Sequence, residues 1–257
     1  MTPFDGSLAV LAAASLLSGF IDAVVGGGGL IQLPALFAVL PREIPAVLFG
    51  TNKIASVVGT SNAAWRYARR IDMPWRVTLP AAVMAFASAY LGAMCVAWLP
   101  RDVLRPLILV LLIAAAIYTF RRRDFGAIHA PRLSERQSIV AALLMGVVLG
   151  FYDGFFGPGT GSLLIFLLIR VFGFDFLHAS AAAKIINVAT NLAAISFFVP
   201  GGYFLPLAAL VMASANVVGS LIGTHLALRH GSGFVRRIFL VVVTLLIGRF
   251  AWDTLGR

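Results

Sequence analysis

Two lysines and two aspartates lie where an apolar sequence would be expected to carry no charge. The chain has 18 arginines but only two lysines, Lys53 and Lys184, and each falls near the middle of a predicted helix. Of its ten acidic residues, only Asp22 and Asp153 lie deep in apolar segments. A charge at the centre of a membrane helix costs at least about 2.5 kcal/mol. Four such charges therefore indicate a functional site, and buried lysines favour an anion as its ligand.

A cluster of glycines follows each of these aspartates. The stretch "GFIDAVVGGGGL" at 19–30 corresponds to "GFYDGFFGPGTG" at 150–161. Glycine disfavours a regular helix and lets a ligand approach the backbone closely. A half-helix that starts after such a break points unpaired N–H groups and the positive end of its dipole at the gap. We therefore predict two broken helices whose half-helix N-termini face a shared anion site near the membrane midplane.

The predicted site combines these cations, glycine breaks and neighbouring amides. Its predicted anion-binding residues are Lys53, Lys184, Asn52, Gly27, Gly28, Gly29, Gly159, Thr160, Gly161, Asn187 and Asn191. Asp22 and Asp153 are assigned a coupling role or a structural ion-pairing role.

Other interpretations of the same residues stay open. The lysines and aspartates can form structural salt bridges without a ligand, or the aspartate can neutralise the lysine until a substrate or proton displaces it. The glycines can serve as close-packing points between helices, and the Asn and Thr side chains as interhelical hydrogen bonds. No histidine spacing suggests a metal site, and no cofactor is expected.

Composition sets the class of protein. The chain has 257 residues, of which 60% are hydrophobic and 12% charged, and a mean hydropathy of +0.97. A soluble domain would have about 25% charged residues. The net charge of +10 comes from arginines at the ends of apolar runs, which is typical of membrane topology and not of a nucleic-acid surface. The single cysteine, Cys95, excludes an intrachain disulfide.

Apolar runs predict an all-α polytopic membrane protein with eight long helices and two short ones. The long helices are expected at about 8–25, 44–65, 77–98, 104–120, 138–156, 178–199, 205–228 and 234–254, and the short half-helices at about 30–40 and 162–172. No segment is long enough for a separate soluble domain, so 1–257 is predicted to be a single membrane domain.

A constant offset of 131 residues relates the two halves of the chain. It pairs Asp22 with Asp153 and Lys53 with Lys184, and it also pairs several glycines. We predict two homologous repeats, 1–120 and 138–257, joined by a cytoplasmic loop at 121–137. Each repeat would contain a helix–glycine–half-helix hairpin followed by three crossings.

The distribution of arginines predicts that the two repeats are inverted. The loop at 66–76 has four arginines, whereas its counterpart at 197–207 has no charge. The loops at 121–136 and 229–237 are also basic. Because basic loops stay in the cytoplasm, these assignments agree only if each repeat crosses the membrane an odd number of times. Both termini would then be exterior.

These elements resemble the sulfite exporter TauE/SafE family, also called the four-toluene-sulfonate uptake permease family. The resemblance rests on "GFIDAVVGGGGLIQLPAL" with "GTNK", and on "GFYDGFFGPGTGSLL" with "AAAKIINVATNLAA". It covers about 8–254, and the first half departs from the second in having Ser56 where the second has Asn187. The resemblance implies transport of small sulfur-containing anions, such as sulfite or organosulfonates, across the inner membrane.

We therefore expect a multi-pass secondary anion transporter of the inner cell membrane, working by alternating access around a midplane site. Because an inside-negative potential drives anions outward, export is the expected direction. The alternatives are a passive anion channel on the same scaffold and, from a different class, an intramembrane enzyme using the aspartate pair; no enzymatic function is expected. The expected partners are the small anion and the bilayer, without nucleic acid, and the oligomeric state stays open.

Overall fold

The computed structural model describes residues 3–98 and 133–255, which form helices connected by short turns. No strand occurs within these two ranges. The helices are α1 (Pro3–Val25), α2 (Gly29–Val39), α3 (Pro45–Ala68), α4 (Trp75–Trp98), α5 (Glu135–Phe155), α6 (Thr160–Arg170), α7 (Phe176–Phe198) and α8 (Pro206–Leu255). Two of them, α2 and α6, have 11 residues each and extend for about 16 Å.

These helices match most of the predicted segments, including both short half-helices. The helices predicted at 205–228 and 234–254 are both present, but the loop expected between them at 229–237 is reduced to a kink within α8 at Gly231, which has φ 69° and ψ −166°. Glycine tolerates this backbone conformation, so one residue redirects the chain without a loop. The predicted helix at 104–120 lies outside the described residues, as does most of the 121–137 segment.

Local signals in the sequence account for several helix starts. Ser134 caps α5 and forms a capping box with Gln137, while the Asp175 carboxylate accepts hydrogen bonds from two backbone N–H groups at the start of α7. Pro45 and Pro206 occupy the first positions of α3 and α8, where the missing N–H is not needed.

Five helices in the described ranges are long and apolar enough to cross a membrane. They are Gly6–Val25, Trp75–Trp98, Glu135–Phe155, Phe176–Phe198 and Pro206–Gly231. Helix α3 has 24 residues but is less apolar, because it carries Thr51, Asn52, Lys53 and Thr60, all of which are buried. The protein is thus a helical, multi-pass membrane protein. Helices α3 and α7 pack together, and both carry buried polar residues.

The two halves of the sequence pack mainly against each other. Helix α1 packs along α8, and α5, the counterpart of α1 at the 131-residue offset, packs along α4, the counterpart of α8. Glycines make both contacts close: Gly219 lies against the Leu16 backbone, and Gly154 lies against the Ala89 carbonyl. Small residues allow this approach where apolar lipid supplies no hydrophobic drive for association.

The contacts also give the relative directions of the helices. Gly219 faces Leu16 and Gly223 faces Phe20, so α1 and α8 run in the same direction. Gly59 on α3 faces Asn216 on α8, and Thr51 accepts a hydrogen bond from the Leu205 backbone, so α3 runs with them.

A second set of helices runs the other way. On α5, Gly146, Gly150 and Gly154 face Ala81, Ala85 and Ala89 on α4, so α4 and α5 are parallel to each other. Gly50 on α3 faces Phe198 on α7, whereas Tyr67 and Ser180 bind adjacent carbonyls at the end of α1, so α3 and α7 are antiparallel. The short turn at 69–74 indicates that α4 likewise runs back relative to α3. Helices α4, α5 and α7 therefore run opposite to α1, α3 and the part of α8 before Gly231.

The glycine contact between α4 and α5 predicts a stability effect. In Gly154→Ala, the added Cβ would meet the Ala89 backbone. Although alanine is the better helix former, we expect destabilisation by about 1–3 kcal/mol from overpacking. Thermal unfolding of purified protein in detergent measures it. The matched control is Gly6→Ala, where no atom lies within 4 Å of the added Cβ. Equal unfolding temperatures for the two variants would contradict the contact.

Candidate functional site

Two buried ion pairs cross between the halves of the chain. Lys53 Nζ donates to Asp153 Oδ2 at 2.8 Å, and Lys184 Nζ lies 3.1 Å from Asp22 Oδ2. Each lysine therefore pairs with the aspartate of the other half. The side chains of Lys53 and Asp153 are 3% and 6% exposed, and those of Lys184 and Asp22 are 0% and 16% exposed. The pairs are equivalent in sequence but not in accessibility.

The two pairs also differ in hydrogen-bonding geometry. Lys53 forms a well-aligned hydrogen bond to its partner, whereas the Lys184 ammonium lies within ion-pair distance of Asp22 but is poorly aligned with it for a hydrogen bond. Asp22 instead accepts a hydrogen bond of 3.0 Å from Thr60 Oγ1. A buried ammonium needs several acceptors to offset its lost hydration. Lys184 is thus the less satisfied of the two cations.

The two glycine breaks meet beside these ion pairs. Gly26 lies against the Gly161 backbone, and a Cβ placed on Gly29 would be 3.2 Å from Pro158 Cα. A Cβ on Gly157 would be 3.1 Å from Lys53 Nζ. Gly26 and Gly157 have φ values of 76° and 92°, which side chains rarely adopt. The structure thus brings the two breaks and Lys53 to one place.

Both half-helices begin at this place without a side-chain cap. Gly28 precedes α2 and Gly159 precedes α6, and at neither position does a side chain accept from the first turn. Uncapped first turns present backbone N–H groups and the positive end of the helix dipole. Of the predicted backbone donors, Gly27, Gly28, Gly159 and Gly161 are buried, and Gly29 is partly exposed.

Side-chain hydroxyls hold the end of α1 at this centre. Tyr67 donates to the Ala23 carbonyl at 3.0 Å, Ser180 to the Val24 carbonyl at 3.2 Å and Ser162 to the Val25 carbonyl at 3.0 Å. The last carbonyls of a helix lack intrahelical donors, so these bonds satisfy groups that would otherwise be unpaired in the protein interior. Two of the three donors come from the second half of the chain.

The predicted amide and hydroxyl residues lie in the same buried region but differ in their bonding. Asn52, Asn187 and Asn191 are all buried, and the Oδ1 atoms of Asn52 and Asn187 have no hydrogen-bond partner. Asn187 Nδ2 lies near Gly161, where an added Cβ would be 2.8 Å away. Thr160 donates to the Gly157 carbonyl at 2.8 Å and so stabilises the break itself. Unpaired amide oxygens in a buried centre leave hydrogen-bonding capacity for a ligand or water.

Sequence reasoning missed a buried hydrogen-bonded chain in the first half. Gln32 donates to Ser15 Oγ at 2.6 Å and accepts from Ser56 Oγ at 2.9 Å. Its counterpart in the second half is Leu163, so no repeat pattern marks it. The available signal was a glutamine within the short apolar half-helix α2, because such a side chain needs a partner inside a membrane protein.

A second difference between the halves lies on α8. Asn216, Ser220 and Thr224 follow one another at four-residue intervals and are all buried. Ser220 accepts a hydrogen bond from Asn62, and Asn216 donates to the Ser15 carbonyl at 3.4 Å. Their counterparts on α4 are Ala85, Ala89 and Ala93. At these three positions the buried face of α8 is polar where that of α4 is apolar, whereas the buried hydroxyls of α4, on Thr78 and Ser88, have Ala209 and Gly219 as counterparts on α8.

The geometry also accommodates the alternative roles. The aspartates pair with the lysines, and the glycines are close-packing points as well as helix breaks. Neither lysine lines the cavity near Arg66 or the cavity near Trp75. Within residues 3–98 and 133–255, no three His, Cys, Asp or Glu side chains are grouped to hold a metal ion.

Taken with the fold, these features define a multi-pass helical membrane protein with a charged, glycine-broken centre, an arrangement suited to moving a solute. The sequence model for the sulfite exporter TauE/SafE family matches residues 11–250. The chain therefore belongs to the TauE/SafE family, as its motifs predicted, and it is a membrane transporter.

Curated relatives support this assignment over nearly the full chain. The chain is 35% identical over 247 residues to a probable membrane transporter protein, ORF9, of a Sinorhizobium species, covering 96% of this chain and 93% of the relative. It is 30% identical over 250 residues to the probable membrane transporter protein YfcA of Escherichia coli strain K12, with 97% and 91% coverage. A probable membrane transporter protein of Haemophilus influenzae is 29% identical over 246 residues. No solved structure matches the chain.

The crossed ion pairs predict selective energetic coupling. In a double-mutant cycle of Lys53→Met and Asp153→Asn, each single change leaves a buried group unpaired and should destabilise the protein by about 3–5 kcal/mol. The double variant should recover at least about 1 kcal/mol of the summed loss. Unfolding in mixed detergent micelles gives the free energies.

The matched control pairs the same lysine with the other aspartate. Lys53→Met should couple more weakly to Asp22→Asn than to Asp153→Asn, because Lys53 and Asp22 have different ion-pair partners. Stronger coupling of Lys53 to Asp22 than to Asp153 would refute the crossed arrangement.

Proposed function

We propose that the protein is a secondary transporter of small anions, with sulfite and organosulfonates as the leading candidates. The observation that carries this proposal is that each buried ion pair lies beside a glycine break, with Lys53 next to Gly157 and Asp22, the partner of Lys184, next to Gly28. Ammonium groups and half-helix N-termini both attract negative charge. Membership in a family described as sulfite exporters supports the substrate class.

In this proposal, the anionic substrate competes with an aspartate carboxylate for the ammonium group of a lysine. Without a ligand, each aspartate neutralises one lysine, so the buried centre carries no net charge from these four groups. Lys184 is the better candidate for exchange, since its ion pair is the longer and less well aligned of the two and Asp22 is the more exposed carboxylate. An anion of similar size would replace Asp22 beside Lys184, while Asp22 keeps its bond to Thr60 or takes up a proton.

Neutral donors would complete the coordination. The predicted contacts come from the amide N–H groups of Asn52, Asn187 and Asn191 and from the backbone of the glycine breaks at 27–29 and 159–161. Thr160 would also contribute if its hydroxyl turned from the Gly157 carbonyl to the anion. The burial of these side chains and the position of Asn187 Nδ2 near Gly161 support this assignment. Three oxygens of a sulfite or sulfonate group can accept several such bonds at once, as phosphate does at helix N-termini.

We further propose an inverted repeat that works by alternating access. The helix directions support it: α1, α3 and α8 run one way and their counterparts α5, α7 and α4 run the other. An axis in the membrane plane would relate the two halves, so that each half in turn opens toward one side. The repeats are assigned to 1–120 and 138–257, with the cytoplasmic 121–137 loop between them.

Export across the inner cell membrane is the proposed direction. An inside-negative potential drives a monovalent anion outward by about 2.3 kcal/mol per 100 mV, so export needs no coupling ion. Uptake would need one, and Asp22 or Asp153 would then carry the proton.

A passive anion channel is the alternative on the same scaffold. We propose no enzymatic activity, because each aspartate is held by a lysine and not by the other carboxylate as an acid–base dyad would require. The relatives named above are likewise described as probable transporters.

Anion flux in proteoliposomes tests the site. The double variants Lys184→Met/Asp22→Asn and Lys53→Met/Asp153→Asn remove charge in neutral pairs, so neither leaves an unpaired buried ion. We expect uptake of labelled sulfite or taurine-like sulfonates to fall at least about tenfold, because a charge-assisted hydrogen bond to the ligand is lost. Flux that saturates with substrate and is accelerated by anion on the far side distinguishes a carrier from a channel.

The control removes an ion pair outside the site. Arg76 and Glu135 form an exposed pair at 3.0 Å, so Arg76→Gln/Glu135→Gln should leave flux unchanged. Normal flux in both lysine variants would exclude the lysines from the site. Absence of flux for every sulfite, sulfonate and carboxylate tested with the native chain would exclude the anion class.

Thiol labelling tests the inversion. In a Cys95→Ala background, single cysteines replace exposed Asp72 in the α3–α4 turn and exposed Pro200 in the α7–α8 turn. A membrane-impermeant maleimide should label the Pro200→Cys protein from outside, because the α7–α8 turn is uncharged. It should label the Asp72→Cys protein only after permeabilisation, because the α3–α4 turn is basic. Labelling of both from one side would rule out inverted repeats.

A further inference from the structure

A basic cavity of about 640 Å³ lies between the C-terminal end of α3 and the part of α8 just before Gly231, away from the central site. Its lining residues are Trp65, Arg66, Arg69, Arg70, His225, Leu228 and Arg229. It therefore gathers four arginines from the end of α3, the turn that follows it and α8, with no acidic residue in its lining.

The arginines of this cavity have few internal partners. In the described ranges, none of the four has a carboxylate oxygen within 4.0 Å. Arg66 donates through Nε to Asn62 Oδ1 at 3.2 Å, and the Arg69 guanidinium stacks 4.8 Å above the centre of the Trp65 ring. Both contacts orient the guanidinium groups while leaving most of their N–H donors free. The cavity is thus prepared for an anion with several acceptor oxygens.

The residues next to the cavity show that it opens toward lipid. On α3, Val58, Trp65 and Arg69 share one helix face, and Val58 and Trp65 are exposed. On α8, His225 and Arg229 share a face with the exposed Val218 and Ile222. Large apolar side chains exposed on membrane helices contact acyl chains, and tryptophan concentrates at the level of the headgroups. Both faces thus pass from apolar to basic at the cavity.

The central site lies on a different face of α3. Lys53, Thr60 and Tyr67 recur at seven-residue intervals, are all buried, and point to α1 and the second half of the chain. A ligand in the basic cavity is therefore separated from the ion pairs by the body of α3.

We propose that this cavity binds the headgroup of an anionic phospholipid from the leaflet on the arginine side. Paired guanidinium groups bind phosphate oxygens in a bidentate manner, and basic pockets between membrane helices suit such headgroups. The acyl chains lie along Val58, Val218 and Ile222. This proposal is independent of the transported substrate, since it uses no residue of the central site.

Native mass spectrometry of the full chain tests the proposal. Protein purified in detergent is mixed with phosphatidylglycerol or phosphatidylcholine of the same chain length. We expect selective retention of phosphatidylglycerol and a roughly 30-fold weaker affinity in Arg69→Gln/Arg229→Gln, from the loss of two arginines near a lipid surface. The matched control is Arg42→Gln/Arg170→Gln, which removes two exposed arginines elsewhere and should retain the lipid like the native chain.

Three outcomes would overturn the lipid site. Equal retention of both lipids would show that the charge of the headgroup is not recognised. Equal loss in the control variant would show a general effect of net charge. Displacement of phosphatidylglycerol by millimolar inorganic phosphate, with no dependence on acyl chains, would assign the cavity to a free anion. Arg69→Lys/Arg229→Lys, which keeps the charge, should retain an intermediate affinity if guanidinium geometry matters.

Discussion

The need to neutralise buried charge across the two halves is the constraint on which the structure depends. Lys53 and Lys184 cannot stay ionised in a protein interior without a nearby carboxylate, and each finds it on the other half. Neither half can therefore satisfy its own charges. The helix packing also joins the two halves, because α1 lies along α8 and α5 lies along α4. Charge and packing together make the two halves a single folding unit.

This constraint also explains why the helices break where they do. The lysine of one half must reach a carboxylate near the end of the other half's first helix, and the contact of Gly26 with Gly161 brings these ends together. Residues with Cβ atoms could not approach so closely. The carbonyls left at the end of α1 are then satisfied by Tyr67, Ser162 and Ser180. Helix break, ion pair and hydroxyl cap form one polar assembly surrounded by apolar helices.

The sequence predicts the parts of this assembly that recur in both halves or that are energetically unfavourable in an apolar helix. It does not predict the parts that depend on three-dimensional packing. The helices, the glycine breaks and the four charged residues were predictable, since each departs from an apolar background or recurs at one offset. The pairing of each lysine with a particular aspartate was not predictable, because pairing within one half would fit the same sequence pattern. The hydrogen bonds of Gln32 have no counterpart in the second half that could reveal them. The kink that replaces the loop expected at 229–237 depends on the backbone conformation of one residue, Gly231.

The polar face of α8 has a consequence for the energetics of the protein. Asn216, Ser220 and Thr224 have alanine counterparts on α4, so the halves match in ionic groups but differ in where their buried hydrogen-bonding groups lie. In the proposed transport cycle, the inward-open and outward-open forms would expose different polar groups to water. This helix face would then favour one orientation of the empty carrier over the other.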